Sequence, residues 1–265
     1  MFELSRNEFT KVLPMFSKIQ NKAVFAFSVI EQTQKGKIFV NSKIDPTAAF
    51  LISCGGFYCL VGTATDHRFN DAVANFLNNK DNHIGFYALA MFTDEWERAF
   101  QKYRLVHANK IKRTYFRLND QKFIEISKDI HIKINEGLHY EVLNEDISNR
   151  YREDFYTYYK LVWDSNKHFN ERGIGHFITK ENKIISVCSS PYVGGGFAEI
   201  DIITIEEHKW KGLATKVGIG FINDCRSKKL IPNWSCHSDN QVSISLANKL
   251  GFDQIAEHPM YWYNV

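Results

Sequence analysis

A chain of 265 residues, 44% of them hydrophobic, is long enough for one large domain or two of ordinary size, each with a buried core. A net charge of only +3 with 24% charged residues argues against a nucleic-acid-binding protein, and no basic stripe is found. The sequence also has no apolar run of about eighteen residues, as a membrane helix needs, and no signal peptide, so we expect a cytoplasmic protein with no membrane partner.

The first part of the chain predicts a mixture of helices and strands. Apolar periodicity indicates a short helix over residues 7–18, and the turn at Lys35 and Gly36 indicates a hairpin between residues 23–30 and 37–40. Thr93 is the expected N-cap of a later helix. Further strands are expected at residues 48–54, 57–62 and 83–90, and further helices at residues 70–77 and 94–103.

The polar, turn-rich residues 118–122 indicate a domain boundary. We therefore expect a smaller mixed α/β domain at residues 1–120, whose substrate or interaction role stays open, and a second domain at residues 121–265. Beyond the boundary, short alternating runs predict strands at residues 122–126 and 130–134.

Residues 150–163 predict a helix with an aromatic stripe. The stripe, with spacings of three and four, consists of Tyr151, Phe155, Tyr158, Tyr159 and Val162. Such a stripe indicates the core-facing side of a helix, and the alternative is that some of its rings line a substrate site.

The cysteines and histidines predict neither a disulfide framework nor a metal site. Five cysteines stand at the scattered positions 54, 59, 188, 225 and 236, which indicates reduced thiols. No Cys-x-x-Cys pair is present, and the histidines at positions 67, 83 and 107 lack metal-ligand spacing.

The stretch FAEIDIITIEEHKWKGLA, residues 197–214, joins a strand-like run to a helix through an acidic turn and a basic loop. Apolar and acidic residues alternate over residues 198–202, which predicts a half-buried strand with Glu199 and Asp201 on one face. One interpretation of this pair is an exposed acidic face. The other is a pair of functional carboxylates, because unpaired carboxylates are costly on a buried strand.

A helix is predicted to begin at Gly212. Apolar residues then recur four apart, at Leu213, Val217, Phe221 and Cys225. The first turn of a helix carries N–H groups without internal partners at its positive end, and Lys209 and Lys211 add two cations. Glycine allows a phosphate close to the backbone and tolerates a positive φ. The loop therefore predicts a phosphate site, and it matches neither the P-loop nor the dinucleotide glycine pattern.

The rest of the second half predicts further strands and one helix. Residues 176–179 and 183–190 predict two antiparallel strands joined at residues 181–183. A short strand is expected at residues 231–236, a helix at 240–250 with Ile244, Ala247 and Leu250 facing inward, a helix stop at Gly251, and a final strand that ends in Tyr261, Trp262 and Tyr263.

In this order, the motifs SxCSS, EIDIxT, KGLAT, PxWSC, NxxS and NKLGF resemble the GNAT superfamily of N-acetyltransferases, in the branch typified by the zwittermicin A resistance acetyltransferase. Lys209, Gly212 and Ala214 occupy the defining positions of the GNAT pyrophosphate loop, with lysine in place of the usual arginine or glutamine. The resemblance is clear over residues 169–265 and looser over the first half.

The resemblance implies an α/β (α+β) fold whose mixed central sheet, flanked by helices, contains two parallel strands that splay apart around the pantetheine arm of acetyl-CoA. Those strands would be residues 199–204 and 233–236. The backbone of Ile203, Thr204 and Ile205 would pair with the arm. The pyrophosphate would be held by Lys209, Trp210, Lys211, Gly212, Leu213, Ala214 and Thr215. Asn240 and Ser243 match positions near the arm, or serve only as a helix cap.

The implied reaction is direct attack of a small-molecule primary amine on the acetyl thioester, with no metal. Glu199 matches the catalytic glutamate of the histone-acetyltransferase branch and is the expected base, and Asp201 would share that role or bind the ammonium group. Ala247 replaces the tyrosine general acid of many GNAT enzymes. The alternative is an acetyl-CoA-binding sensor or interaction module without catalysis. The oligomeric state is open, a homodimer included.

Overall fold

The chain folds as two units, and the computed structural model describes residues 1–17, 19–103, 105–106, 108–129 and 136–264. Unit 1 comprises Met1–Arg113 and Glu257–Val265, and unit 2 comprises Thr114–Ala256. Unit 1 therefore contains both ends of the chain. The division into functional domains at residue 120 stays a prediction.

Short strands and helices alternate along both units. The elements up to residue 118 are β1 (Phe2–Glu3), α1 (Leu13–Phe16), α2 (Val24–Ile30), β2 (Gly36–Val40), β3 (Ala48–Ser53), β4 (Phe57–Gly62), α3 (His67–Asn78), β5 (Phe86–Met91), α4 (Asp94–Gln101) and β6 (Asn109–Leu118). The elements that follow are α5 (Asp120–Asp129), β7 (Leu138–Val142), α6 (Glu145–Arg150), α7 (Tyr159–Val162), α8 (Asn166–Arg172), β8 (Gly175–Lys180), β9 (Lys183–Ser189), β10 (Val193–Gly194), β11 (Phe197–Glu199), β12 (Asp201–Thr204), α9 (Leu213–Ser227), β13 (Ile231–His237), α10 (Gln241–Lys249) and β14 (Phe252–Asn264).

In unit 1, β2, β3 and β4 form an antiparallel meander, and β4 pairs in parallel with β5 after the crossover helix α3. β1 pairs with β2, and the end of β14 pairs antiparallel with β5. The buried cluster of this unit includes Phe50, Tyr58, Phe69, Trp96 and Phe100. Aromatic rings therefore supply much of its core.

In unit 2, four antiparallel strands form a sheet in the order β12-β9-β8-β7. The turn between β8 and β9 contains Glu181 and Asn182 with φ of 49° and 63°, as a tight hairpin turn requires. β11 pairs antiparallel with β10 and, after the crossover helix α9, parallel with β13. The hairpin predicted at residues 181–183 is confirmed.

The two units repeat one order of elements. In unit 1, β4 is antiparallel to β3, and the helix α3 leads to β5, which is parallel to β4. In unit 2, β11 is antiparallel to β10, and after β12 the helix α9 leads to β13, which is parallel to β11. The predicted fold class, mixed α/β with mixed sheets flanked by helices, is confirmed. No helix in the described ranges is long and apolar enough to cross a membrane.

The predicted hairpin at residues 23–40 is wrong, because residues 23–30 form the helix α2 and β2 pairs with β3. All seven residues of α2 are buried, so its apolar run has no polar side that would reveal the helical period. α2 packs closely on β2. A Cβ added at Gly36 would lie 2.5 Å from the Cγ2 atom of Val29.

The strand predicted at residues 122–126 is also wrong, because these residues lie in α5. Asn119 starts this helix: its side-chain oxygen accepts a hydrogen bond from the Lys122 N–H at 3.2 Å, and its carbonyl accepts one from Phe123 at 2.9 Å. Phe123 is buried, and the next two residues, Ile124 and Glu125, are both exposed, so burial does not alternate as it would along a half-buried strand. The strand predicted at residues 130–134 lies outside the described residues.

The helix predicted at residues 150–163 is interrupted. α6 ends at Arg150, a π-helical turn follows over Tyr151–Phe155, and α7 begins only at Tyr159. Of the aromatic stripe, Tyr151 and Tyr159 are fully buried, as the core interpretation predicts. Phe155 and Tyr158 are half-buried.

The remaining predicted elements are confirmed with shifts at their ends. The region around residues 7–18 is helical, with a 3-10 segment before α1, and the Thr93 hydroxyl caps α4 by accepting from the Trp96 N–H. The strand predicted at residues 83–90 begins at Phe86. Gly251 follows α10 with a φ of 86°, as a helix stop requires. All five cysteines are free thiols.

Candidate active site

The strand predicted at residues 198–202, and at 199–204 by the resemblance, is broken at Ile200. Before the break, β11 pairs with β13 up to Glu199, opposite Asn233, and the Ile200 N–H donates to the Asn233 carbonyl at 2.9 Å. After the break, β12 leaves β13 and pairs with β9, with Asp201 opposite Ser189. Beyond the break, β12 and β13 therefore separate into different sheets, and we call the space between them the slot.

Glu199 lies at the point where the two strands separate. Its Oε2 atom accepts a hydrogen bond from Asn233 Nδ2 at 2.5 Å, and its Oε1 atom accepts one from Ser235 Oγ at 2.5 Å. Both donors are on β13, two residues apart on one face of the strand. The carboxylate is thus fixed across the narrow end of the slot. Asn233 and Ser235 were not predicted, although their alternation opposite Glu199 follows once the parallel register is known.

Asp201 belongs to a different sheet from Glu199. Its neighbour Ile202 faces α9, since a Cβ added at Gly218 of that helix would meet Ile202 Cδ1 at 3.6 Å. Because successive side chains alternate along a strand, Asp201 points to the opposite face of the sheet, beside the directly opposed Ser189. The two carboxylates that the sequence places on one strand are therefore held by different partners.

A group of tyrosines lies near Asp201, and we call it the tyrosine cluster: Tyr151, Tyr156, Tyr158, Tyr159 and Tyr192. The Ser189 hydroxyl bonds the hydroxyls of Tyr151 at 2.9 Å and Tyr159 at 2.8 Å. The Tyr158 and Tyr192 hydroxyls lie 3.1 Å apart. Burial and then the negative charge of Asp201 raise the pKa of Tyr156, so this phenol stays neutral near pH 7. Tyr156 and Tyr192 lie outside the predicted stripe.

The loop before α9 has the conformation that an anion site needs. Gly212 has a φ of 75° and precedes the first helical residue, and no heavy atom lies within 4 Å of a Cβ added to it. Its backbone is therefore open to a ligand. The residues Leu213, Val217, Phe221 and Cys225 are all buried, so the predicted inner face of α9 is confirmed.

Both lysines of the loop have internal partners. Lys209 Nζ forms an ion pair with Glu206 Oε2 at 2.5 Å, and Lys211 Nζ donates to the Glu207 carbonyl at 2.8 Å. Lys209 and Glu206 are exposed enough that a phosphate can displace such a pair at little cost. Trp210 is 85% exposed, with a φ of 63°.

Asn240 and Ser243 form the start of α10. The Asn240 side-chain oxygen accepts from the Ser243 N–H at 3.0 Å, and the Ser243 hydroxyl accepts from Trp234 Nε1 at 3.2 Å. The structure thus shows the capping role, and a role near the cofactor arm stays a prediction. Ala247 in the same helix is fully buried, so its position offers no acidic group.

The described residues of unit 1 do not show this combination of features. The strands β4 and β5 of that unit stay paired from Phe57 to Leu60. At the start of α3, the Asp66 carboxylate accepts from the Phe69 N–H at 3.0 Å, so a negative side chain occupies the helix N-terminus. Among the described residues, the loop before α9 combines an open helix start with separating strands. In the described part of the chain, no three His, Cys, Asp or Glu side chains are grouped to hold a metal ion.

Comparison with known proteins gives one consistent family. The family described as GNAT acetyltransferase matches residues 13–261. The chain is 26% identical over 260 residues to YdfB, an uncharacterized N-acetyltransferase of Bacillus subtilis (strain 168), with 98% of this chain and 97% of that protein covered.

Two solved structures share the fold. A GCN5-related N-acetyltransferase-like protein from Streptococcus suis 89/1591 has a TM-score of 0.75 and 18% identity, with 97% of this chain and 99% of that chain covered. A tandem GNAT protein from the clavulanic acid biosynthesis pathway has a TM-score of 0.65 and 10% identity, with 99% and 97% covered. At these identities the likeness concerns the fold alone.

Proposed function

This chain belongs to the GNAT acetyltransferase family, and on that premise we propose that it transfers the acetyl group of acetyl-CoA to a primary amine of a small molecule. The observation that carries the proposal is the separation of β12 from β13 with Glu199 at the apex and the open helix start of α9 after it. The ordered motifs of residues 169–265 support a place in the zwittermicin A resistance-type branch. We propose a cytoplasmic enzyme with no nucleic-acid partner.

The residues of the slot fit an extended, amide-containing arm. β12 is the outer strand of its sheet, so one edge of its backbone faces the slot. The Ile205 N–H donates to the Ile185 carbonyl at 3.0 Å, and hydrogen bonding alternates along an antiparallel pair. Ile203 therefore faces β9 as Ile205 does, and Ile202 and Thr204 present their backbone groups to the slot. We propose Thr204, with Ile202, as the residues that pair with the arm.

The helix start fits the pyrophosphate. Backbone N–H groups from Gly212 to Thr215 lack partners one turn earlier in the helix, and the macrodipole makes this end positive. Leu213 and Thr215 are buried and fix the first turn, and Ala214 adds little bulk. Lys209, released from Glu206, and Lys211 would supply the charge, with Trp210 beside them. Lysine retains the charge of the usual arginine but not its planar fork.

Glu199 is the proposed general base. An alkyl amine is mostly protonated at pH 7 and must lose a proton before it can attack a thioester. Acetyl-CoA supplies the activated acyl group and a thiol leaving group of pKa near 8.5, which can depart without a strong acid. Asn233 and Ser235 orient the Glu199 carboxylate, which takes the proton directly or through a water molecule. Because position 247 is alanine, no side-chain hydroxyl there can protonate the thiolate.

The test uses the full chain. Thermal unfolding with and without acetyl-CoA measures binding, and thiol release measures transfer to primary amines, aminoglycosides, polyamines and peptides. A stabilised protein that releases thiol with an amine supports the proposal. Stabilisation by acetyl-CoA without thiol release on any amine supports a sensor or interaction module. Two departures from the usual family pattern agree with that alternative, namely alanine at position 247 and lysine at position 209. Absence of binding would overturn both.

A further inference from the structure

Beside the proposed base, Asp201 and the tyrosine cluster are grouped around the paired residues Asp201 and Ser189, and we call this group of side chains the recess. Asp201, Tyr156 and Tyr158 are half-buried, so part of each side chain is accessible. Tyr151 and Tyr159 form its buried wall. The hydroxyls of both rings are hydrogen-bonded to Ser189, which lies directly opposite Asp201 on the neighbouring strand β9.

The rings of the recess are packed against one another. Tyr156 lies with its ring centroid 5.6 Å from that of Tyr158 and 5.7 Å from that of Tyr159, and Tyr151 lies 4.7 Å from Tyr159. The π-helical turn that ends at Phe155 makes this possible, because Tyr156 leaves the helix with φ −143° and ψ 81°. A regular helix through these residues would not place Tyr156 and Tyr158 on the same side.

The charge of the recess is negative. Its phenols have raised pKa values, caused first by burial in Tyr151, Tyr156, Tyr158 and Tyr159 alike, so none of them ionises near pH 7. The carboxylate of Asp201 is then its charged group. The buried guanidinium of the same turn, Arg152, is directed elsewhere, since it donates to the Trp163 carbonyl at 2.7 Å and to Asn166.

A carboxylate beside tyrosine rings is a chemistry that binds an organic ammonium ion, through charge and through the electron-rich ring faces. We propose that this recess binds a second positively charged group of the acceptor, so that the acceptors are amines with two or more cationic centres. The inference rests on the proposed function, because it takes the amine at Glu199 as the one that is acetylated.

The spacing of the two carboxylates fits such an acceptor. Glu199 and Asp201 are two residues apart on an extended chain, which separates their backbone positions by about 7 Å. They face different surroundings, Glu199 toward β13 and Asp201 toward the tyrosine cluster. One ammonium group can therefore be held at Asp201 while the neutral amine reaches the slot at Glu199.

The experiment uses the full-length protein and compares 1,4-diaminobutane with 1-aminobutane and 4-amino-1-butanol as acetyl acceptors. We expect kcat/KM to be at least about tenfold higher for the diamine. Asp201→Asn should remove this preference, so that the ratio of kcat/KM for the diamine to kcat/KM for 1-aminobutane falls to about one; a shared role in proton transfer alone would lower both values equally and leave the ratio unchanged. Asp154→Asn is the matched control, because it removes one negative charge from an exposed position of the neighbouring turn. Tyr156→Phe should retain the preference and Tyr156→Leu should lose it, since the ring face is the binding element.

A non-reactive probe separates this inference from the proposed function. Tetramethylammonium has no N–H and cannot be acetylated, so its stabilisation of the protein against heat, at constant ionic strength, reports the recess alone. If tetramethylammonium stabilises the unchanged protein and not the Asp201→Asn variant, the recess binds an organic cation, even if no amine is acetylated. Equal kcat/KM for the diamine and 1-aminobutane, or no stabilisation by the probe, would overturn the inference, and thiol release with any amine would leave the acetyltransferase standing.

Discussion

Gly212→Ala separates the requirement for folding from the requirement for phosphate binding. A non-glycine residue in the left-handed conformation of Gly212, with φ 75°, costs about 1–2 kcal/mol. No heavy atom lies within 4 Å of the added Cβ, so no steric clash adds to that cost. We expect the melting temperature to fall by roughly 2–8 °C. Binding should suffer more, because the loss of one charge-assisted hydrogen bond to a phosphate weakens affinity roughly tenfold to a hundredfold.

Gly137→Ala is the matched control for this variant. Gly137 is also exposed in unit 2, has a φ of 78°, and has no heavy atom within 4 Å of an added Cβ. It should lose the same stability and bind acetyl-CoA within about twofold of the unchanged protein. Calorimetric titration with acetyl-CoA and with pantetheine, which has no phosphate, measures both effects. If Gly212→Ala bound acetyl-CoA as well as Gly137→Ala does, the loop would not be the phosphate site.

Two further variants follow from the electrostatics. Glu206→Gln frees Lys209 from its ion pair, so the Kd for acetyl-CoA at low salt should fall by up to about fivefold, and the gain should shrink at about 1 M salt. An unchanged Kd at low salt would exclude Lys209 from the phosphate site. Burial lowers the pKa of His176 in spite of the nearby Asp224 carboxylate. The unfolded chain then binds more protons below about pH 6.5, so the free energy of unfolding should fall as the pH drops, by at most about 1.4 kcal/mol per pH unit. Urea unfolding at pH 7.5 and 5.5 should show a smaller loss for His176→Asn, and an equal loss would assign the pH dependence to other groups.

Local signals in the sequence predicted the start of α9 well. A glycine, two lysines and a four-residue apolar repeat all lie within one continuous stretch, and the buried face from Leu213 to Cys225 follows from them. The Thr93 cap and the hairpin at Glu181 and Asn182 were predictable for the same reason. Each depends on residues that are neighbours in the chain.

Features that depend on distant residues were not predictable. The break at Ile200 arises because β11 and β12 find partners in different sheets, and alternation within FAEIDII contains no sign of that change. The hydrogen bonds from Asn233 and Ser235 to Glu199 depend on the parallel register of β13. The helix α2 was predicted as a strand because its surroundings bury every side, which removes the helical period.

The proposed base, Glu199 at the apex of the slot, takes the proton from the acceptor amine. Glu199→Gln removes the basic group and leaves the shape of the side chain, because the amide has the same shape and can keep its contacts with Asn233 and Ser235. With saturating acetyl-CoA and an amine that the unchanged protein acetylates, we expect kcat at pH 7 to fall at least about a hundredfold and the Kd for acetyl-CoA to change less than about twofold. Turnover equal to that of the unchanged protein would exclude Glu199 as the base.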